Sequence, residues 1–82
     1  MNQQNLRVYP NPVSGIVNLS VNPGQKIATI EINSISGQMI LRKDIHNLSQ
    51  TRIDLTHLKA GTYIIRVTTQ NGDIINKKIT KQ

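Results

Sequence analysis

Six side chains in this 82-residue chain have the chemistry for acid–base catalysis or cation binding: Glu31, Asp44, Asp54, Asp73, His46 and His57. Asp44 and His46 stand two apart, so on a strand they share a face and could meet one cation. A solvated strand end accounts for the same pair without any ligand. Asp54 and His57 flank a turn, where Asp54 is expected to cap the backbone donors of 56–58. No third or fourth ligand follows at the spacing that zinc or calcium sites use. Five serines and two histidines allow a triad on paper. Yet there is no nucleophile elbow and no glycine-rich phosphate loop to build one on, and so small a domain leaves little volume for a substrate pocket. The expectation is a domain without catalytic residues, cofactor or metal.

The elements that would have to position any such group are short strands. Thirteen of the residues are Ile, and Ile, Val and Thr together supply 25, while Phe and Trp are absent. The core must be aliphatic, and the β-branched bias favours pleated structure. No apolar pattern at helical spacing persists for three turns. There is no cysteine, which removes a disulfide framework and a thiolate nucleophile together. No apolar run approaches the roughly 20 residues of a membrane helix, so direct membrane insertion is not expected. Residues 1–5 read as a polar leader or linker remnant without a signal-peptide pattern, followed by one domain over 6–82.

Arg7-Val8-Tyr9 reads as a first strand. Tyr9-Pro10-Asn11-Pro12-Val13-Ser14-Gly15 then forms a stiff, kinked crossing, because Pro10 and Pro12 lack donors and hold their predecessors extended. Tyr9 is expected on the core with its hydroxyl bonded near the rim. The stretch 16–21 alternates, with Val17, Leu19 and Val21 inward, and Asn22-Pro23-Gly24-Gln25 is a turn. The stretch 26–34 is the next strand, with Ala28, Ile30 and Ile32 inward. Ser36-Gly37 turns into 38–45, whose inward face is ambiguous because Ile40 and Leu41 adjoin. Leu48 is a candidate to tuck in from the polar 47–50. A short strand at 52–55 precedes one helical turn at 56–60 that exits through a left-handed Gly61. About seven short strands with regular turn signals predict an all-β, Ig-like antiparallel sandwich.

The last 25 residues carry the clearest pair of strands. A two-residue Asn71-Gly72 loop would oppose Arg66 and Lys77 and mix the faces. A three-residue loop, Gln70-Asn71-Gly72 with Gly72 left-handed, sets Val67 against Ile75, Tyr63 against Ile79 and Arg66 against Asn76. That register leaves Lys77 leaning inward opposite Ile65, tolerable if the last strand is an edge from which the lysine can snorkel.

The net charge of +6 permits anionic partners. Nucleic acid is not expected: single-strand binders combine a basic groove with exposed aromatics, whereas Tyr9 and Tyr63 both read as core. Asn18-Leu19-Ser20 and Asn47-Leu48-Ser49 match the glycosylation tripeptide, a pattern easily met by chance. Composition alone stops at a binding or recognition module.

Four motifs in order go further: Tyr9-Pro10-Asn11-Pro12-x-x-Gly15; Ile30-Glu31-Ile32-Asn33-Ser34-Ile35-Ser36-Gly37-Gln38-Met39-Ile40; Leu55-x-x-Leu58-x-x-Gly61-x-Tyr63; and Lys77-Lys78-Ile79-Thr80-Lys81. Together they resemble the type A C-terminal sorting domain of the type IX, or Por, secretion system of Bacteroidota-type bacteria. Ser34, Ile40 and the final Gln82 depart slightly from that pattern. The resemblance implies a seven-stranded Ig-like domain that directs an N-terminal cargo through the periplasm and across the outer membrane. A PorV-type shuttle would recognise it and a PorU-type sortase would remove it, leaving the cargo secreted or at the cell surface. A monomer is expected.

Lys77, Lys78, Ile79, Thr80 and Lys81 are the expected docking edge, where unpaired backbone groups meet a partner and lysines steer it. Tyr9, Pro10, Asn11, Pro12, Gly15, Gly37, Leu58, Gly61 and Tyr63 serve mainly to shape the fold, with one of their loops open to a second role on the recognised surface. The alternative is a non-catalytic adhesive or carbohydrate-binding Ig-like module, which would need exposed aromatics.

Overall fold

A computed structural model describes residues 6–22 and 24–82, and at Asn47 the backbone alone. The polar leader expected over 1–5 lies outside the described residues, as does Pro23 of the expected turn. Seven strands follow one another: β1 (Arg7–Tyr9), β2 (Ile16–Ser20), β3 (Ile27–Ser34), β4 (Met39–Leu48), β5 (Gln50–Asp54), β6 (Gly61–Thr69) and β7 (Ile74–Lys81). They form two antiparallel sheets, ordered β1-β2-β5 and β4-β3-β6-β7. This is the expected Ig-like sandwich, and alternation explains it. Val17 and Leu19 from one sheet, and Ile30, Ile32, Ile65, Val67 and Ile79 from the other, enter a single aliphatic cluster. Each fully buried side chain of this size contributes up to about 1.5–3 kcal/mol.

The β6–β7 hairpin adopts the three-residue register, with Val67 opposite Ile75, Tyr63 opposite Ile79 and Arg66 opposite Asn76. Gly72 has φ 92°. Lys77 stands opposite Ile65 and is exposed, as an edge position allows. The β3–β4 connection repeats the same turn. In each, the Gly N–H donates to the carbonyl of Ser34 or Thr69, and the N–H of that residue donates to the carbonyl of Gln38 or Asp73 (2.8–2.9 Å). In each, its side-chain hydroxyl accepts the N–H of the residue after Gly (3.1 and 3.2 Å).

Several inward assignments are corrected. A register shift between Ile27 and Thr29 makes Ala28 the extra residue, so Ile27 is buried and Ala28 only half-buried; one inserted residue reverses the parity of everything before it. A second shift between Ile32 and Asn33 resolves the Ile40–Leu41 ambiguity, because Leu41 packs on the core and Ile40 is the exposed, extra residue. Leu48 does not tuck in and stays exposed at the end of β4. No helical turn forms at 56–60. The Leu58 N–H donates to the Leu55 carbonyl, three residues back, and the chain continues as turn and bend. Gly61 is not a helix exit: it opens β6 at φ 155°, a conformation open to glycine and far from the left-handed helical basin.

Candidate recognition site

The first and last motifs, far apart in sequence, are held together. β7 is the edge of the four-stranded sheet, and the crossing between β1 and β2 lies along it. The Asn11 carboxamide occupies the place of a peptide group: its Nδ2 donates to the Lys78 carbonyl (3.4 Å) and its Oδ1 accepts the Thr80 N–H (3.0 Å). Val13 continues the contact as backbone. Its N–H donates to the Thr80 carbonyl at 2.9 Å, and its carbonyl accepts the Gln82 N–H at 2.8 Å, a parallel bridge opposite Lys81. Val13 is fully buried. The flanking prolines explain the arrangement, since neither can donate to an edge and the asparagine between them can both donate and accept.

This clasp divides the expected docking segment. Lys77 and Lys78 are exposed, Ile79 is fully buried core, and Lys81 is buried with its Nζ donating to the Gln82 carbonyl (2.9 Å). The Thr80 side chain is exposed, but its backbone is already bonded to Asn11 and Val13. So Lys78 to Gln82 does not offer the row of unpaired groups anticipated for it. Edge-facing groups alternate along a strand, and among the described residues those of Ile74 and Asn76, with the Lys78 N–H, have no partner across this edge. The sequence signal for the clasp is the asparagine between two prolines; what it would grip was not readable from spacing.

The remaining motif residues sit as follows. Pro10 and Pro12 are exposed within the crossing, and both are preceded by cis peptide bonds. The Gly15 carbonyl accepts the Leu55 N–H (2.9 Å). Gly37 closes the β3–β4 turn at φ 94°, and Leu58 packs partly buried on the core. Tyr63 also packs there, at the start of β6, and its hydroxyl donates to the Lys59 carbonyl (2.7 Å). This back-bond matches the tyrosine corner of Ig-like domains. Tyr9 contradicts expectation: the residue is 49% exposed. On β1 it falls in the outward row, while Val8 takes the core side.

The ionisable groups are spread out. Asp54 Oδ1 accepts the Thr56 hydroxyl (2.6 Å) and N–H (2.9 Å), so the anticipated cap forms at Thr56, while the Leu58 N–H goes to the Leu55 carbonyl instead. The two Thr56 bonds hold the Asp54 carboxyl below the usual aspartate range, the side-chain bond most strongly, with a smaller attraction from His57. Asp44 faces Arg42 at 3.5 Å, and Glu31 faces Arg66 at 3.8 Å. Among the described residues no three His, Asp or Glu side chains converge.

Residues 7–82 match the family model described as the secretion system C-terminal sorting domain. The chain belongs to that family. The sorting domain is also 30% identical over 76 residues to Beta-agarase D of Zobellia galactanivorans, an alignment covering 93% of this chain and 15% of that protein. The chain therefore spans a small part of that relative's length. Two solved structures share the fold. One is a DUF3244 family protein with an immunoglobulin-like β-sandwich from Bacteroides vulgatus, with TM-score 0.77 and 18% identity, covering 94% of this chain and 83% of that one. The other is CopC from Methylosinus trichosporium, with TM-score 0.56 and 17% identity, covering 96% and 91%. At such identities the likeness concerns the sandwich alone. Family membership makes the sorting domain a secretion signal of the type IX, or Por, kind.

Proposed function

We propose that this domain is the address carried at the C-terminus of a larger exported protein, and that the outer-membrane secretion machinery reads it as a folded unit. The family match over nearly the whole chain carries this reading. The small share of Beta-agarase D that aligns supports a cargo much larger than the signal, a hydrolase among the candidates. A PorV-type shuttle receives the domain and a PorU-type sortase separates it from the cargo, which ends secreted or on the cell surface after passing the periplasm. The domain itself is non-catalytic and acts as a monomer.

Recognition centres on the C-terminal strand. Lys77 and Lys78 are its exposed cations, beside the edge-facing groups of Ile74 and Asn76, which have no partner across the edge among the described residues; Ile79 anchors the strand, and Thr80 and Lys81 are held by the clasp. This geometry suits an added strand steered by charge. Deleting 77–82 would remove the buried Ile79 and unfold the sandwich, so the test is charge reversal. A reporter fused to residues 6–82 is expected at the surface of a type IX-competent host. Lys77→Glu with Lys78→Glu is expected to leave thermal unfolding near that of the parent and to cut surface delivery at least tenfold. Delivery at the parent level by the reversed variant would remove the strand from the recognition surface. Failure of the parent fusion itself would remove the address function.

A further inference from the structure

Within Tyr9-Pro10-Asn11-Pro12, the clasp uses Asn11, and the prolines shape the crossing. The Tyr9 ring has no such task. It stands half exposed on the outer face of the three-stranded sheet, in one row with Asn18 on β2 and Arg52 on β5. The next row places Arg7, Ser20 and Gln50 side by side. All six project away from the core, which takes Val17, Leu19 and Ile53 from the alternate positions. Tyr9, Asn18, Gln50 and Arg52, with exposed Leu48 at the border, line a groove of about 490 Å³, within the range of small-ligand sites.

The groove's chemistry is directional. Asn18 Nδ2 donates to the Tyr9 carbonyl (3.2 Å), which ties β2 to the strand bearing the ring and leaves the Asn18 carbonyl oxygen available. Neither Arg7 nor Arg52 has a carboxylate partner among the described residues. Asp54, the acid on this face, lies one row beyond Tyr9, Asn18 and Arg52, with one oxygen engaged by Thr56. One aromatic face, two unpaired guanidinium forks and several amides make a platform with a definite preference. The C–H face of a pyranose packs on the ring, guanidinium groups take a carboxylate or sulfate in bidentate fashion, and amides bond hydroxyls.

We propose that this face binds an acidic oligosaccharide, one uronate or sulfated sugar seated over Tyr9 with its anionic group on Arg52. A single ring suits a single stacked sugar. A nucleic-acid strand would call for successive rings on which successive bases stack, and Tyr63 packs instead on the core of the other sheet. The site lies on the three-stranded sheet, whereas the β7 edge belongs to the opposite sheet.

Titration of the 82-residue chain with a sulfated heparin-type hexasaccharide, followed by amide chemical shifts, tests the assignment. The expected result is a set of shifts centred on Tyr9, Asn18, Gln50 and Arg52. Tyr9→Ala and Arg52→Gln should each weaken binding at least fivefold, while Lys77→Gln with Lys78→Gln changes it less than twofold. A neutral agarose-type hexasaccharide should bind at least tenfold more weakly. Arg52 is exposed and outside the core, so its variant decides the matter even if Tyr9→Ala alters folding. The proposal is overturned if Arg52→Gln binds like the parent, or if the shifts map to Lys77 and Lys78. It is equally overturned if a ten-residue oligothymidine competes for the same face with higher affinity.

Discussion

Asp54 shows what one short side chain does at a turn. Its carboxylate accepts both donors of Thr56, and the bonded form is the ionised one, so the carboxyl is held below its usual range. A depressed folded value stabilises the fold above the ordinary aspartate range, and that stabilisation disappears as pH falls through the folded value. Thr56→Val removes the stronger bond and leaves the backbone donor. A carboxyl titration followed by NMR is therefore expected to show the Asp54 midpoint rising towards the usual value in Thr56→Val. An unchanged midpoint would mean that the hydroxyl is not the cause. The backbone cap was legible in the sequence because an Asp at the edge of a turn readily accepts a nearby backbone N–H; the bond from the Thr56 hydroxyl was not. The exposure of Tyr9 was not legible: a tyrosine between an apolar residue and a proline reads equally well facing in or out, and only pairing with β2 sets its parity.

Among the elements, the two hairpin turns are the same device used twice, a Ser or Thr followed three residues later by a left-handed glycine. A Cβ at Gly37 or Gly72 would meet nothing within 4 Å, so the cost of alanine there is conformational and not steric. Gly37→Ala and Gly72→Ala are each expected to lower the free energy of unfolding by about 1–2 kcal/mol. Gly24→Ala, equally unhindered and outside the left-handed region, should come within about 0.5 kcal/mol of the parent or above it. Urea denaturation of the three variants checks this; equal costs at all three positions would refute it. The β6–β7 register could be read in advance because like charges and mixed faces eliminated its rival. The bulges at Ala28 and Ile40 could not, since an extra residue leaves the alternation on either side intact and reveals itself only against a partner strand.

At the scale of the whole molecule, four motifs stand out in the sequence, but what joins them does not. The fold was accessible from β-branched composition and turn spacing. The last strand was accessible only as a string of lysines, since burial of Lys81 and occupation of the Thr80 edge depend on contacts such as that of Asn11 with Thr80, 69 residues apart. Such contacts have no local signature. On the proposed reading the address is a composite, in which the last strand is held by the Asn11–Val13 segment.

That clasp also has a mechanical meaning. Asn11 and Val13 run parallel to the end of β7, so tension applied between residue 6 and Gln82 draws the two segments past each other. The bonds from Asn11 and Val13 to Lys78, Thr80 and Gln82 then bear load together instead of parting one by one. A pull along this axis therefore loads the clasp in shear, with its bonds acting side by side. Asn11→Ala, which deletes the two side-chain bonds, is expected to lower equilibrium stability by only about 1–2 kcal/mol. In single-molecule stretching between the termini its unfolding force should drop clearly. An unchanged force would mean that the load runs elsewhere in the sandwich.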